Sequence, residues 1–146
     1  MNFPSFTFLV SLSFFATSSA AAIDKPALIL VPGAFHRASV YHEVRDQLSD
    51  VGYDHIDTVD LPSNGYDVVD IERTVDINAV KMLLETRLKV NEDVVLIGNS
   101  YGATVIMEAV KDFEDRSIFA TSEIEIGHGR ILGLIMVSYA YLTCAL

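Results

Sequence analysis

The sequence predicts an α/β fold in which four parallel strands are covered by helices on both faces. The chain has 146 residues, about the length of one domain, and 51% of them are hydrophobic, which is enough for a packed core. Short apolar runs alternate with segments of helical spacing, in the order strand, helix, strand, helix, strand, helix, strand. This alternation favours a parallel sheet, because each helix returns the chain to the edge where the next strand begins.

The first strand is predicted at residues 27–31, which are apolar throughout, as in strands buried on both faces. A helix follows, and its apolar positions recur at helical spacing: Val40, Val44, Leu48 and Val51. Gly52 is placed to end that helix. Polar and apolar residues alternate over 56–60, which predicts a second strand, and the composition of residues 61–65 is typical of a loop.

The second half of the pattern repeats the first. A second helix is predicted from about residue 71 to 89, with one apolar face formed by Ile77, Val80, Leu84 and Leu88. A third buried strand is predicted at 94–97. A third helix starts near Tyr101, with these residues facing inward: Ile106, Ala109, Val110 and Phe113. Residues 112–129 form a polar, glycine-containing connection to a fourth buried strand at 131–137.

Composition excludes several classes of partner. The net charge is −10, and no cluster of Lys or Arg forms a surface for nucleic acid. Cys144 is the only cysteine in the sequence, so an internal disulfide is impossible. No histidines stand at metal-binding spacing, and the glycine patterns of nucleotide sites are missing, so we expect no metal and no cofactor.

Residues 1–22 are predicted to be a secretory signal peptide. They carry no charged side chain, and an apolar stretch at 6–16 is followed by small residues. Ser18 with Ala20, or Ala20 with Ala22, would satisfy the cleavage rule. The apolar stretch is shorter than the roughly 20 residues of a membrane span. We therefore expect a secreted protein without stable membrane insertion, whose folded part is residues 27–146.

The pentapeptide from Gly98 to Gly102 has the pattern Gly-x-Ser-x-Gly between an apolar strand and an amphipathic helix. In such a sharp turn the central serine is lifted above the end of the strand. Side chains two positions to either side would collide, so Gly98 and Gly102 are needed. Because the following helix begins beside Ser100, its free N–H groups can stabilise a developing oxyanion. Ser100 is therefore the candidate nucleophile, and the Tyr101 N–H the first oxyanion donor.

The loop after the first strand, residues 31–36, is the candidate second half of the oxyanion hole. In this strand–turn–helix architecture the loop supplies a second N–H donor. Its position favours Ala34, with Phe35 as the alternative. An ordinary turn at the end of a strand is the competing interpretation.

Four blocks together resemble the α/β-hydrolase superfamily, in particular its methylesterase and hydroxynitrile-lyase-like branch and fungal secreted relatives. The blocks are residues 28–36, 59–65, 94–102 and 131–138. The resemblance implies a partial α/β-hydrolase fold and a position for His36 in the lining of the substrate pocket. Two positions depart from the family, which usually has histidine where Pro32 stands and often has it where Asn99 stands.

The resemblance also implies an acid and a histidine that follow the serine along the chain. By the family pattern both lie after the fourth strand, so residues 27–146 correspond to the N-terminal part of the domain, before the cap, the acid and the histidine. Among the residues present, His36 is a weak substitute base. His42 and His55 are expected at the surface or in packing, and His128 is expected at the wrong end of its strand. Asp60 is expected to make loop hydrogen bonds.

Two hypotheses about function follow. The first is a serine hydrolase that cleaves a small-molecule ester through an acyl-enzyme on Ser100. The second is a catalytically incomplete fragment or truncated gene product of such a hydrolase. A lyase or a binding protein on the same scaffold is a weaker third possibility, because a fold does not fix its chemistry.

Overall fold

The structure is a computed structural model that describes residues 25–65, 71–117 and 128–138. The predicted signal peptide, residues 1–22, lies outside these residues. Among the described residues, no helix is long and apolar enough to cross a bilayer.

Four parallel strands form one sheet, which confirms the predicted fold class. The strands are β1 (Ala27–Val31), β2 (Ile56–Thr58), β3 (Val94–Asn99) and β4 (Ile131–Val137). Their order across the sheet is β2-β1-β3-β4. The second strand is two residues shorter than the alternation at 56–60 predicts, because pairing with β1 ends at Thr58.

Three α-helices connect the strands: α1 (His42–Asp50), α2 (Arg73–Lys89) and α3 (Tyr101–Ala109). A 3-10 turn at Ala38–Tyr41 precedes α1, and another at Val110–Arg116 continues α3 into the polar, glycine-containing connection. The chain crosses from β1 to β2 in one direction and then from β2 to β3 and β4 in the other. Because such crossovers are right-handed, α1 lies on one face of the sheet and α2 and α3 on the other.

The main core lies between the sheet and the pair α2 and α3. The inward residues of α2 recur every four positions, and alternate residues of β1 and β3 belong to the same cluster. The cluster comprises Ala27, Ile29, Val31, Val59, Leu61, Val80, Leu84, Leu88, Val94, Leu96, Val105, Ile106, Ala109 and Ile131. Val110 and Phe113 pack against it, so the predicted inward face of the third helix is correct.

Helix α1 differs from the expectation of a buried apolar face. Its residues are all intermediate or exposed, and Val40, Val44 and Val51 are 50%, 43% and 60% exposed. The periodicity marks the apolar side of the helix correctly. Within the described ranges that side is only partly covered, and Leu48 is the one residue of α1 that is not exposed.

Candidate active site

Ser100 occupies the sharp turn between β3 and α3. Its backbone angles are φ 49° and ψ −114°, a left-handed conformation that L side chains rarely adopt. Its N–H donates to the carbonyl oxygen of Val137 at 2.8 Å, and its own carbonyl oxygen accepts the Ala103 N–H at 3.0 Å. The turn is thereby fastened to β4 on one side and to the first turn of α3 on the other, and the serine side chain remains exposed.

The two glycines of the pentapeptide stand where the backbone leaves no room for a side chain. A Cβ on Gly98 would lie 2.6 Å from the Cα of Ala103. A Cβ on Gly102 would lie 2.4 Å from the carbonyl oxygen of Val31 and 2.5 Å from that of Pro32. Real Cβ contacts are not this short, so α3 can begin directly above β1 only with glycine at these positions.

The loop after β1 lies against the serine turn. A Cβ on Gly33 would be 3.3 Å from both the Cβ of Ser100 and the carbonyl oxygen of Asn99. The loop that contains Ala34 and Phe35 therefore starts beside the turn that leads into α3, which begins at Tyr101. Amide groups at a helix N-terminus lack partners within the helix, so they are available to an anion.

Asn64, in the loop after β2, clamps the loop after β1. Its Oδ1 accepts the Phe35 N–H at 2.9 Å, and its Nδ2 donates to the carbonyl oxygens of Gly33 at 3.1 Å and His36 at 2.7 Å. Phe35 between them has φ 67°, and its side chain is 96% exposed. Three hydrogen bonds around one left-handed residue hold the loop in a conformation that its sequence alone does not favour.

Asp76, in the first turn of α2, is a fully buried carboxylate. Its Oδ1 accepts the Ser63 N–H at 2.9 Å, and its Oδ2 accepts the Ser63 hydroxyl at 2.6 Å and the Tyr101 hydroxyl at 2.8 Å. Burial, and then the hydrogen bond to Asp76, raise the pKa of the Tyr101 phenol. Tyr101 therefore stays protonated and donates to the carboxylate at neutral pH.

A cleft of about 680 Å³ opens beside these two loops. Phe35, His36 and Arg37 line it from one side, and Ser63 and Asn64 from the other. His36 lines this cleft, and Ser100 does not.

The histidines and Asp60 take the following positions. His36 Nδ1 donates to the carbonyl oxygen of Ala34 at 2.8 Å, because that oxygen can only accept. His42 is exposed at the start of α1, and His55 pairs with Glu92 at 2.6 Å. His128 precedes β4 and lines a separate cleft at the N-terminal ends of the strands. Asp60 Oδ1 accepts the Ala38 N–H at 2.7 Å, a loop hydrogen bond of the kind that the sequence predicts.

Two polar residues of this region, Asn64 and Asp76, are not among the candidates that the sequence predicts. A signal for Asp76 is present: it stands four positions before Val80 in the same row of the helix as Leu84. A carboxylate in an apolar row must be buried with donors around it. Asn64 carries no comparable signal, because asparagine is common in loops. Within the described ranges, no group of three His, Cys, Asp or Glu side chains could hold a metal ion.

Comparison with known proteins agrees with this geometry. Residues 28–142 match the Alpha/beta hydrolase family. The chain is 31% identical over 111 residues to the alpha/beta hydrolase nvfD of Aspergillus novofumigatus, a match that covers 76% of this chain and 42% of the relative. It is also 31% identical over 105 residues to Methylesterase 2 of Arabidopsis thaliana, covering 67% of this chain and 40% of the relative. The chain thus spans about two fifths of the length of these relatives.

Solved structures share the fold. An extracellular alpha/beta-hydrolase from a Paenibacillus species superposes with a TM-score of 0.61 at 20% identity, over 81% of this chain and 43% of that one. Tomato Methylketone Synthase I superposes with a TM-score of 0.52 at 21% identity, over 62% of this chain and 36% of that one. The family match extends from β1 through β4 and includes the serine turn. The chain therefore belongs to the alpha/beta hydrolase family and contains the N-terminal portion of its fold.

Proposed function

We propose that the chain carries the nucleophile of a serine hydrolase that cleaves a small-molecule carboxylic ester. The observation that carries the proposal is Ser100 itself, a non-glycine residue held at φ 49° between two glycines that the backbone requires. Strained serines of this kind persist where the surrounding structure holds them and commonly mark functional sites. Three methylesterases of Arabidopsis thaliana among the relatives support an ester as the substrate class.

The proposed reaction proceeds by acyl transfer. Ser100 Oγ attacks the ester carbonyl carbon, a general base takes the hydroxyl proton, and the carbonyl oxygen becomes an oxyanion. The intermediate collapses by breaking the bond to the alcohol, which leaves with the proton, and water then hydrolyses the acyl-enzyme. Across residues 25–65, 71–117 and 128–138, no histidine or carboxylate is hydrogen-bonded to Ser100 Oγ. The proposal therefore assigns the nucleophile and the donors and assigns no residue to the base.

The proposed oxyanion donors are the N–H groups of Tyr101 and Ala34. Tyr101 begins α3, where backbone donors are free of helix partners and the helix dipole favours negative charge. Of the two loop amides, that of Phe35 already donates to Asn64 Oδ1. This bond favours Ala34 as the second donor. A single donor in a preorganised site of this kind commonly contributes a factor of about 10²–10³ to the rate.

Fluorophosphonate labelling tests the proposal, because the probe reacts with activated serines. The expressed chain should be labelled at Ser100, and Ser100→Ala should abolish the label. Ser138→Ala is the matched control, since Ser138 is also exposed and has φ 51° at a strand end. Labelling of the unsubstituted chain no stronger than that of Ser100→Ala would refute the proposal for this polypeptide and favour a catalytically incomplete product.

We also propose that residues 1–22 direct secretion. The composition of this segment supports it, and one matched hydrolase, from a Paenibacillus species, is extracellular. Expression in a secreting host should release a product whose N-terminus lies near residue 21 or 23, read by N-terminal sequencing. A product retained in the cell with its original N-terminus would contradict secretion.

A further inference from the structure

Asp76 is the one charged side chain that is fully buried among the described residues. Removing a carboxylate from water is costly unless donors surround it, and three donors do so. All three come from two residues, Ser63 in the loop after β2 and Tyr101 at the start of α3. The buried charge therefore joins two loops that are far apart in the sequence.

Tyr101 connects this carboxylate to the serine turn. It follows Ser100 directly, and its N–H is the first proposed oxyanion donor. Its ring packs partly buried against the core, while its hydroxyl reaches Asp76 at 2.8 Å. The position of the Tyr101 backbone is thereby fixed from two sides, by the helix and by its own side chain.

Ser63 connects the same carboxylate to the other proposed donor. The next residue is Asn64, whose amide makes three hydrogen bonds to Gly33, Phe35 and His36. These bonds surround Ala34, the second proposed donor. An unbroken series of hydrogen bonds and peptide links thus runs from Tyr101 through Asp76, Ser63 and Asn64 to the loop after β1.

We infer that Asp76 and Asn64 are positioning residues that set the spacing between the two oxyanion donors. The inference rests on the proposed function, because a spacing matters only if both amides bind one oxygen. Neither side chain touches the ester in this account. Each acts through a backbone that it holds, and a misplacement of about 1 Å at such a site can cost a factor of about 10² in rate.

Two substitutions break the series at separate points without touching Ser100. Tyr101→Phe removes the hydroxyl that meets Asp76 but keeps the ring in the core and the backbone N–H. Asn64→Ala removes all three bonds of the clamp. The matched controls are Tyr53→Phe and Asn78→Ala, which remove the same groups elsewhere: Tyr53 contacts Lys25 through its ring, and Asn78 is exposed on α2.

The measurement is the rate constant of fluorophosphonate labelling at Ser100, with the free energy of unfolding measured on the same samples. Each of the two substitutions should slow labelling about ten- to a hundred-fold, and each control should stay within about twofold. Because both act on one spacing, the double variant should lose less than the product of the two single effects. A merely structural role would change the free energy of unfolding and leave the labelling rate of the folded chain intact.

Amide exchange at Phe35 gives a second readout that needs no reaction. In the exposed loop its N–H is protected by Asn64 Oδ1, so Asn64→Ala should speed its exchange at least about tenfold. Equal labelling rates in the variants and the controls, or unchanged exchange at Phe35, would overturn the inference and leave the proposed function standing. If the unsubstituted chain is not labelled above Ser100→Ala, the proposed function fails first, and the positioning role fails with it.

Discussion

Gly102 packs directly on the backbone of Val31, so closely that a Cβ on the glycine would lie 2.4 Å from the valine carbonyl oxygen. Gly102 lies in the first turn of α3, and Val31 is the last residue of β1. This contact sets the height of the helix above the neighbouring strand. It also brings the turn at Ser100 against the loop that starts at Pro32.

Gly102→Ala should destabilise the fold strongly, because the atoms it meets belong to the backbone and cannot rotate away. Insertion into such a contact commonly costs about 1–3 kcal/mol, and we expect the upper end of that range. Gly133→Ala is the control: nothing lies within 4 Å of its Cβ position, and it stands inside β4. It should be neutral or slightly stabilising. Urea unfolding measures the free energy of unfolding of both variants, and equal values would contradict the packing described.

Ser100→Gly should be more stable than Ser100→Ala. At φ 49° and ψ −114° a Cβ is strained, and glycine removes that strain while alanine keeps it. Strain of about 1–3 kcal/mol, less about 0.5–1 kcal/mol for the flexibility of glycine in the unfolded chain, leaves a difference of about 1 kcal/mol. Chemical denaturation of the two variants measures it. An alanine variant as stable as the glycine variant would show that the turn at Ser100 is relaxed.

The helices and strands are predictable from the sequence because several residues indicate each of them independently. The helix α2 is indicated by four apolar positions at helical spacing, and the strand β4 by seven consecutive residues. An exception at one position therefore does not change either assignment. The serine turn is predictable for a related reason. Its two glycines, its serine and the flanking strand and helix are adjacent in the sequence, and the steric conflict that requires the glycines is local.

The links between loops are not predictable in this way. Asp76 meets Ser63, 13 positions earlier, and Tyr101, 25 positions later. No periodicity relates these residues, and the contacts exist only after the sheet has brought the loops together. Asn64 likewise reaches Gly33 across 31 positions. Helix α1 shows the same limit, since periodicity identifies its apolar side but not what packs on it.

Arg87 should matter more to stability than its position near the surface suggests. Its Nε and Nη2 donate to both carboxylate oxygens of Asp57 at 2.6 and 2.8 Å, and its Nη1 donates to Glu92 at 3.0 Å. The network ties α2 to β2, and the hydrogen bonds that the guanidinium donates to Asp57 are the main reason why the pKa of Arg87 is raised. Lysine cannot reproduce the planar fork, so Arg87→Lys should cost about 1–2 kcal/mol.

Lys89→Gln is the control for Arg87. Lys89 lies on the same helix and pairs with Glu85 at 2.8 Å, but this is an exposed pair of the i,i+4 kind. Such pairs contribute about 0.3–0.5 kcal/mol. Thermal and urea unfolding should therefore separate the two variants clearly. If they are destabilised equally, the bidentate geometry around Arg87 does not contribute beyond an ordinary surface pair.

The ion pair between Asp93 and Arg130 should make the free energy of unfolding depend on pH in the acidic range. Asp93 Oδ1 accepts the Arg130 backbone N–H at 2.9 Å, and its Oδ2 accepts the guanidinium Nη2 at 2.6 Å, at the point where β3 and β4 begin. These hydrogen bonds, that of the side chain first, lower the pKa of Asp93 below its ordinary value of 3.8. The folded state thus holds this proton less tightly than the unfolded state does.

The sign of the acid effect follows from that difference. The contribution of Asp93 is fully present above its unfolded pKa and is lost as the pH falls through its lower, folded pKa. Asp93→Asn should therefore be less stable than the unsubstituted chain at pH 7, and the two should converge as the pH falls below about 4. Other carboxylates titrate in both proteins, so the difference between the two urea-unfolding series isolates Asp93. A difference that stays constant from pH 7 to pH 3 would show that the pair does not stabilise the junction of β3 and β4 through the charge of Asp93.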